Sequence, residues 1–540
     1  MATSFRYIQI VLIALVLFVP FLGQVHLFDW DEINFAECAR EMIVSKDYLR
    51  MQIDFQPFYE KPPLFIWMQV LSMKLFGINE FAARFPNALA GMVTLVALFY
   101  IGKKVVNEKM AIWWVILYVA TWLPHFYFKS GIIDPTFNLF IFLAFFQVYS
   151  LKFGRQKLMH MLLAGLFIGL AVLTKGPVAI LVSVLSFVVY VVLNRGINGY
   201  SVGHLLGIAF IALLVTSLWF GVELLQNGPA FLREFISYQA GLFSQNIADH
   251  AEPWFYHPVV LLIGCFPASL FLFQYSRKRT VNARSEYARW MWILFWVVLI
   301  LFSIVKTKIV HYSSLCYYPL TFLAALQIYR LSEKEFIVKK LVRVLLLVIG
   351  SVWGILLTAI PLVGLYKAKL IPLIKDPFAV GNLQADVHWS YAECAFGIVY
   401  LVLVWASVLI MKRHFRRGML ILSFTQVVMI QIILLQFAPK IEAYSQRAAV
   451  AFYESKQGHD VYVQVLGFHS YAHLFYAQKK PSINPGYYQA GWLINGSIDK
   501  PAYFVCKIQD ADQYRANQNL KVLYEKNGFV FFERILHAAN

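Results

Sequence analysis

Thirteen apolar stretches, each about the length needed to cross a bilayer, recur between Ile8 and Phe437. No soluble core can hide that much apolar surface, so lipid must solvate most of the chain. Of the 540 residues, 60% are hydrophobic and only 14% charged. The spans fall at 8–28, 81–101, 110–128, 132–150, 159–174, 177–193, 203–222, 257–275, 290–305, 312–329, 341–364, 391–411 and 419–437. The expected architecture is a polytopic α-helical membrane protein of about thirteen transmembrane helices, with a small C-terminal α/β domain.

The formal net charge of +18 raises the question of nucleic acid. The placement of the charges answers it. Lys103, Lys104 and Lys109, then Lys152, Arg155 and Lys157, then Lys412, Arg413, Arg416 and Arg417 lie in alternate short loops, as do basic clusters at 277–289 and 330–343. This is the positive-inside pattern, with the N-terminus cytoplasmic and, after an odd number of spans, the C-terminal domain on the outer side. No domain concentrates a basic face for nucleic acid. The five cysteines show no C-x-x-C spacing, hence neither a disulfide framework nor a thiolate metal site. The first span is too long for a signal-peptide core and no A-x-A-like cleavage site follows, so it reads as a retained helix.

Two parts of the chain depart from simple spans. The outer loop 29–80 carries two helical patterns, Asp31–Ser45 and Leu64–Phe76. The first has Ile33, Ala36, Ala39, Met42 and Ile43 on one face and charges opposite, which fits a helix in the membrane interface. After the membrane unit, 1–437, the segment 438–540 changes character. Asp460–Phe468 and Pro501–Ile508 read as strands, Ser470–Gln478 as a helix, and 520–533 as a hairpin about Asn527-Gly528.

Ionisable residues gather at the outer mouths of the spans. Asp29 with Glu32 resembles a capping box, and Asp134 before Pro135 has the grammar of a helix start. Asp31 is not needed for either. In Tyr59-Glu60-Lys61-Pro62-Pro63 the two prolines stiffen the chain and fix where Glu60 and Lys61 project. Such a Lys can hold a phosphate and such a Glu a metal; the bland alternative is a solvated ion pair of little worth. Lys175, Lys306, Lys308 and His311 do not serve orientation at outer positions, so they point to an anionic ligand. His250 precedes an aromatic run, but no H-x-x-x-H spacing makes a local metal motif, and a lone loop His is commonly a surface residue.

Asp31-Glu32-x-x-Phe35-Ala36-Glu37, Arg40-Glu41-Met42, Tyr59-Glu60-Lys61-Pro62-Pro63 and Arg84-Phe85-Pro86 follow one another in an order that resembles the bacterial relatives of the lipid A aminoarabinose transferase. The same set is similar to the wider dolichyl-phosphate-mannose protein mannosyltransferases. Both are GT-C glycosyltransferases, which use polyprenyl-phosphate-linked sugars. The resemblance implies a bacterial inner-membrane enzyme with a periplasmic C-terminal domain, Asp31 as the catalytic acidic residue, Asp134 as a second acidic residue near the cavity and Lys61 as a donor-phosphate contact. With the outer basic residues Lys175, Lys306, Lys308 and His311 added by position, and Glu32 and Arg84 from the matched motifs, the expected catalytic pair is Asp31 and Asp134 and the expected substrate contacts are Glu32, Lys61, Arg84, Lys175, Lys306, Lys308 and His311. The resemblance implies a divalent metal at Glu60 and His250. It also implies an inverting transfer to lipid A, another envelope glycan or protein. Asn34 stands where these transferases often have Arg. The competing class is a lipid or sugar transporter, which calls for repeated halves and mid-membrane charges that the sequence does not display. A membrane scaffold with a partner-binding outer domain is a third reading, and it has no need of Asp31 or the Glu60-Lys61-Pro62-Pro63 run.

Overall fold

A computed structural model describes residues 2–197, 199–244, 252–274, 283–334 and 337–534. His250 and the basic run 277–279 lie outside the described residues. Helices form in all thirteen apolar stretches, but the first ends at Phe18, leaving 19–28 non-helical, and the stretch from 257 breaks after Gly264. Eight helices are long and apolar enough to cross a membrane alone, and a ninth span arises if Tyr256–Gly264 and Ala268–Gln274, bent by 102° at their junction, count together. Shorter apolar helices include Ser4–Phe18, Leu64–Phe76 and Val178–Asn194. The chain is a multi-pass membrane protein.

Close helix approach depends on small residues, as expected where lipid gives no hydrophobic drive for association. Gly165 and Gly169, four apart on Lys157–Lys175, face Val202–Asn227. A Cβ at either would stand 2.6 Å from the Cβ of Ile211 or Val215. The last span, Phe415–Ser445, runs as one helical segment through a π turn at Ile433–Phe437 and past Phe437.

The C-terminal part forms a four-stranded sheet in the order β3-β4-β6-β5, with β3 (Tyr462–Leu466), β4 (Ala502–Lys507), β5 (Leu520–Lys526) and β6 (Phe529–Arg534). β3 runs parallel to β4, and the other pairs are antiparallel. Asn527 (φ 50°) and Gly528 (φ 81°) make the expected β5–β6 turn. The sheet rests on the membrane unit through Phe378, whose ring meets Phe529 edge-on at 5.2 Å.

The first loop is built as the periodicity requires, with helices at Asp31–Ser45 and Leu64–Phe76. The expected interfacial placement of the first is wrong. Glu32 through Met42 are buried without a break, charged face included. Arg40 pairs with Glu37 at 2.6 Å. Glu41 accepts the backbone N–H groups of Asp54 (2.7 Å) and Phe55 (2.8 Å), the two left-handed residues of a hairpin formed by β1 (Gln52–Ile53) and β2 (Gln56–Pro57). Protein, not lipid headgroup, covers the polar face.

Candidate active site

The start of the Asp31–Ser45 helix opens into a cavity of about 510 Å³ at the end of the bundle that carries the C-terminal domain. Asp31, Glu60, Lys61, Asp134, Lys175 and His311 line it with Trp30, Tyr238, Gln239 and Tyr312. These residues come from six separate stretches of chain. The fold therefore converges on one place the groups that the sequence scatters.

Within the cavity acids and bases alternate. His311 Nε2 lies 3.3 Å from Asp31 Oδ2 and 4.0 Å from Asp134 Oδ2. Asp134 Oδ1 accepts from Lys175 Nζ at 2.5 Å, while its buried Oδ2 has no hydrogen-bond partner. Asp134 does not cap its helix: the preceding position is Ile133 and no side-chain cap bond forms. The helix-start grammar placed the residue correctly, and tertiary contacts took its carboxylate.

Lys61 projects beside Glu60, with Nζ 3.9 Å from Oε2 and 5.1 Å from the centre of the Tyr238 ring. Burial lowers the Lys61 pKa, opposed by the nearby charges of Glu60 and Asp31. An anion arriving at that ammonium meets a cation already stripped of much of its water. Glu60 Oε2 accepts from the Tyr238 hydroxyl at 2.8 Å, and Gln239 donates to the Glu60 carbonyl at 3.0 Å. Burial and the Glu60 charge push the Tyr238 phenol well up, so it stays a donor. Tyr238 and Gln239 escape sequence reasoning because the helix that carries them, Ala230–Ser244, bears no motif. Tyr312 carried a signal, adjacent to His311 in the same outer junction.

The implied metal rests on Glu60 and His250, of which only Glu60 lies among the described residues. Among the described residues no group of three His, Cys, Asp or Glu side chains is placed to hold an ion. Glu60 is engaged by a hydroxyl and an ammonium, and His250, its expected partner, lies outside the described residues. No step below passes through a metal.

Glu32 and Arg84, expected to hold substrate, hold each other. Arg84 Nη2 and Nε donate to the two Glu32 oxygens at 2.8 and 2.9 Å. Arg84 also donates to the carbonyls of Leu22, Val25 and His26. Glu32 further accepts from the backbones of Phe28 (3.0 Å) and Gly131 (2.5 Å). Burial alone would raise the Glu32 carboxyl, but Arg84's charge and these bonds leave it below its ordinary value. The cluster is saturated and fixes the segment entering the Asp31 helix.

Asp29 is not the helix cap either; Trp30 occupies that position without a side-chain bond. Asp29 accepts from the Ser470 hydroxyl, and the Trp30 ring packs near His469 and Tyr471. With its amide oriented to satisfy both atoms, Asn34 bonds the carbonyl and indole N–H of Trp30, each at 3.0 Å. Lys306 is exposed and Lys308 buried; neither lines the cavity.

Residues 60–220 match the dolichyl-phosphate-mannose-protein mannosyltransferase family. The chain superposes on the ArnT of Cupriavidus metallidurans, solved bound to undecaprenyl phosphate, with a TM-score of 0.78 over 99% of both chains at 18% identity. The chain therefore has the fold of that ArnT. The apo form of that ArnT gives a TM-score of 0.75 at the same coverage. Among sequence relatives, this chain is 27% identical to the undecaprenyl phosphate-alpha-4-amino-4-deoxy-L-arabinose arabinosyl transferase of Edwardsiella ictaluri, covering 73% of this chain and 75% of the relative. The transferase of the same description from Shewanella sediminis is 28% identical, over 69% and 68% of the two chains.

Proposed function

We propose that the protein transfers a sugar, aminoarabinose by its relatives, from undecaprenyl phosphate to lipid A on the periplasmic face of a bacterial inner membrane. The observation that carries this reading is the cavity itself, where Asp31, Lys61, Lys175 and His311 converge at one end of a GT-C bundle. A polyprenyl-phosphate sugar already has a good leaving group, so the site needs cations for the departing phosphate and a fixed acceptor. Lys61 and Lys175 supply the cations. The acceptor oxygen attacks the anomeric carbon as the bond to the phosphate oxygen breaks, inverting the configuration. A hydroxyl acceptor gives its proton to Asp31. A phosphate acceptor is already anionic, and Asp31 with His311 then orients it.

The test feeds membranes a radiolabelled undecaprenyl-phosphate sugar and follows label into lipid A, glycan and protein. Asp31→Asn is expected to lower transfer about 10²–10⁴-fold, the range for a lost general base, with the fold intact. Near-normal transfer by a folded Asp31→Asn variant would overturn the site. Label entering no acceptor, with several sugars tried, would favour the transporter reading.

A further inference from the structure

A second cleft, of about 400 Å³, lies between the β1–β2 turn of the first loop and the free edge of β3. One side is the Asp54 turn; the other is formed by Tyr487, Tyr488, Gln489 and Gln464, over apolar Leu493. The turn is held firmly. Glu41 bonds its two amides, Lys479 pairs with the Asp54 carboxylate, the Tyr487 hydroxyl donates to Asp54 Oδ2 at 3.0 Å, and Tyr488 donates to its carbonyl at 3.3 Å. Gln464 Oε1 accepts the Val465 N–H at 3.0 Å, an edge amide with no neighbouring strand, which leaves the amide nitrogen to be matched by a ligand.

The lining selects a ligand class. A hydrocarbon would leave the Gln464 and Gln489 amide groups and the remaining acceptor positions of Asp54 unmatched. A phosphate would face Asp54, whose Lys479 counter-charge is already engaged. A sugar satisfies the set: its hydroxyls pair with the amides and the remaining acceptor positions of Asp54. A C–H face lies on the exposed ring of Tyr488, the Tyr487 ring being covered by Lys479 and Tyr462. The cleft also has a definite relation to the reaction centre. The turn is bonded to Glu41, ten residues along the helix that begins at Asp31, a rise of about 15 Å. A single sugar does not bridge that separation; a headgroup of more than one sugar with its phosphates does.

We propose that this cleft binds the carbohydrate of the acceptor beyond its reacting group, so that the C-terminal domain selects acceptors by headgroup length. The inference rests on the transfer reaction proposed above. Tyr488→Ala and Gln489→Ala alter exposed residues remote from Asp31. Each is expected to raise KM for intact lipid A about tenfold, with kcat and the donor KM unchanged. With a monosaccharide acceptor, variants and wild type should coincide. In parallel, the full-length protein is titrated calorimetrically with deacylated lipid A backbone, a phosphorylated glucosamine disaccharide. Binding should persist in Asp31→Asn and weaken in both cleft variants. An active wild type whose cleft variants keep the KM for lipid A, or equal disaccharide binding in all proteins, would overturn the proposal. If the wild type transfers nothing, the transfer reading fails, and the titration still decides the cleft.

Discussion

Arg84 and Lys61 show how two basic residues near one cavity differ in kind. Arg84 is buried with every neighbour engaged, whereas Lys61 lines open space. Arg84→Ala leaves Glu32 charged and unpaired, and such removals cost about 3–5 kcal/mol. A sharp loss of thermal stability is expected, read as Tm in detergent. The double variant Glu32→Gln with Arg84→Met removes the orphaned charge and should recover part of that loss. Lys61→Met should behave oppositely, with Tm unchanged or raised, since a desolvated charge is relieved, and with transfer reduced. Full activity in a folded Lys61→Met protein would remove the residue from phosphate binding. The sequence distinguished these roles poorly. Both residues stand in motifs, but Arg84 finds its acid 52 residues away, and only the fold shows that the pair is closed.

The segment between the first helix and the first loop is joined to the C-terminal extension by a titratable link. His26 Nδ1 lies 2.9 Å from Glu442 Oε1, on the helical continuation of the last span. Burial lowers the His26 pKa, but the hydrogen bond and charge of Glu442 outweigh it and leave the pKa above 6.5. A folded pKa raised above the unfolded one gives stability that is complete below pH 6.5 and lost as pH rises through the folded value. Tm should therefore fall on going from pH 6 toward alkaline values, and His26→Gln should flatten that slope. An unchanged slope would show that the link does not contribute. At this scale the sequence was informative where local periodicity governs. The Asp31–Ser45 and Leu64–Phe76 helices and the Asn527-Gly528 hairpin form as patterned. It failed where long-range contact governs: amphipathicity put Asp31–Ser45 at the interface, yet its charged face is covered by a hairpin and Lys479 from the distant domain.

For the whole molecule, the alternation of basic loops predicts that Lys412 and Lys526 lie on opposite sides of the membrane. All five native cysteines are buried, so single cysteines introduced at these positions report cleanly. An impermeant maleimide should label Lys526→Cys in spheroplasts and Lys412→Cys only after the membrane is opened; the reverse would invert the topology. The convergence of six chain segments on one cavity was legible only as a shared face, because spacing carries no information about which loops meet. The Asp31–His311–Asp134–Lys175 series has a further consequence. With no substrate bound, the site already contains its own counter-ions, as an internal salt. On the proposed reaction, an incoming phosphate would not add a charge to a bare cationic surface; it would take Lys175 from Asp134 and trade one anion for another. Such an exchange releases few mobile ions, so donor affinity should depend only weakly on ionic strength.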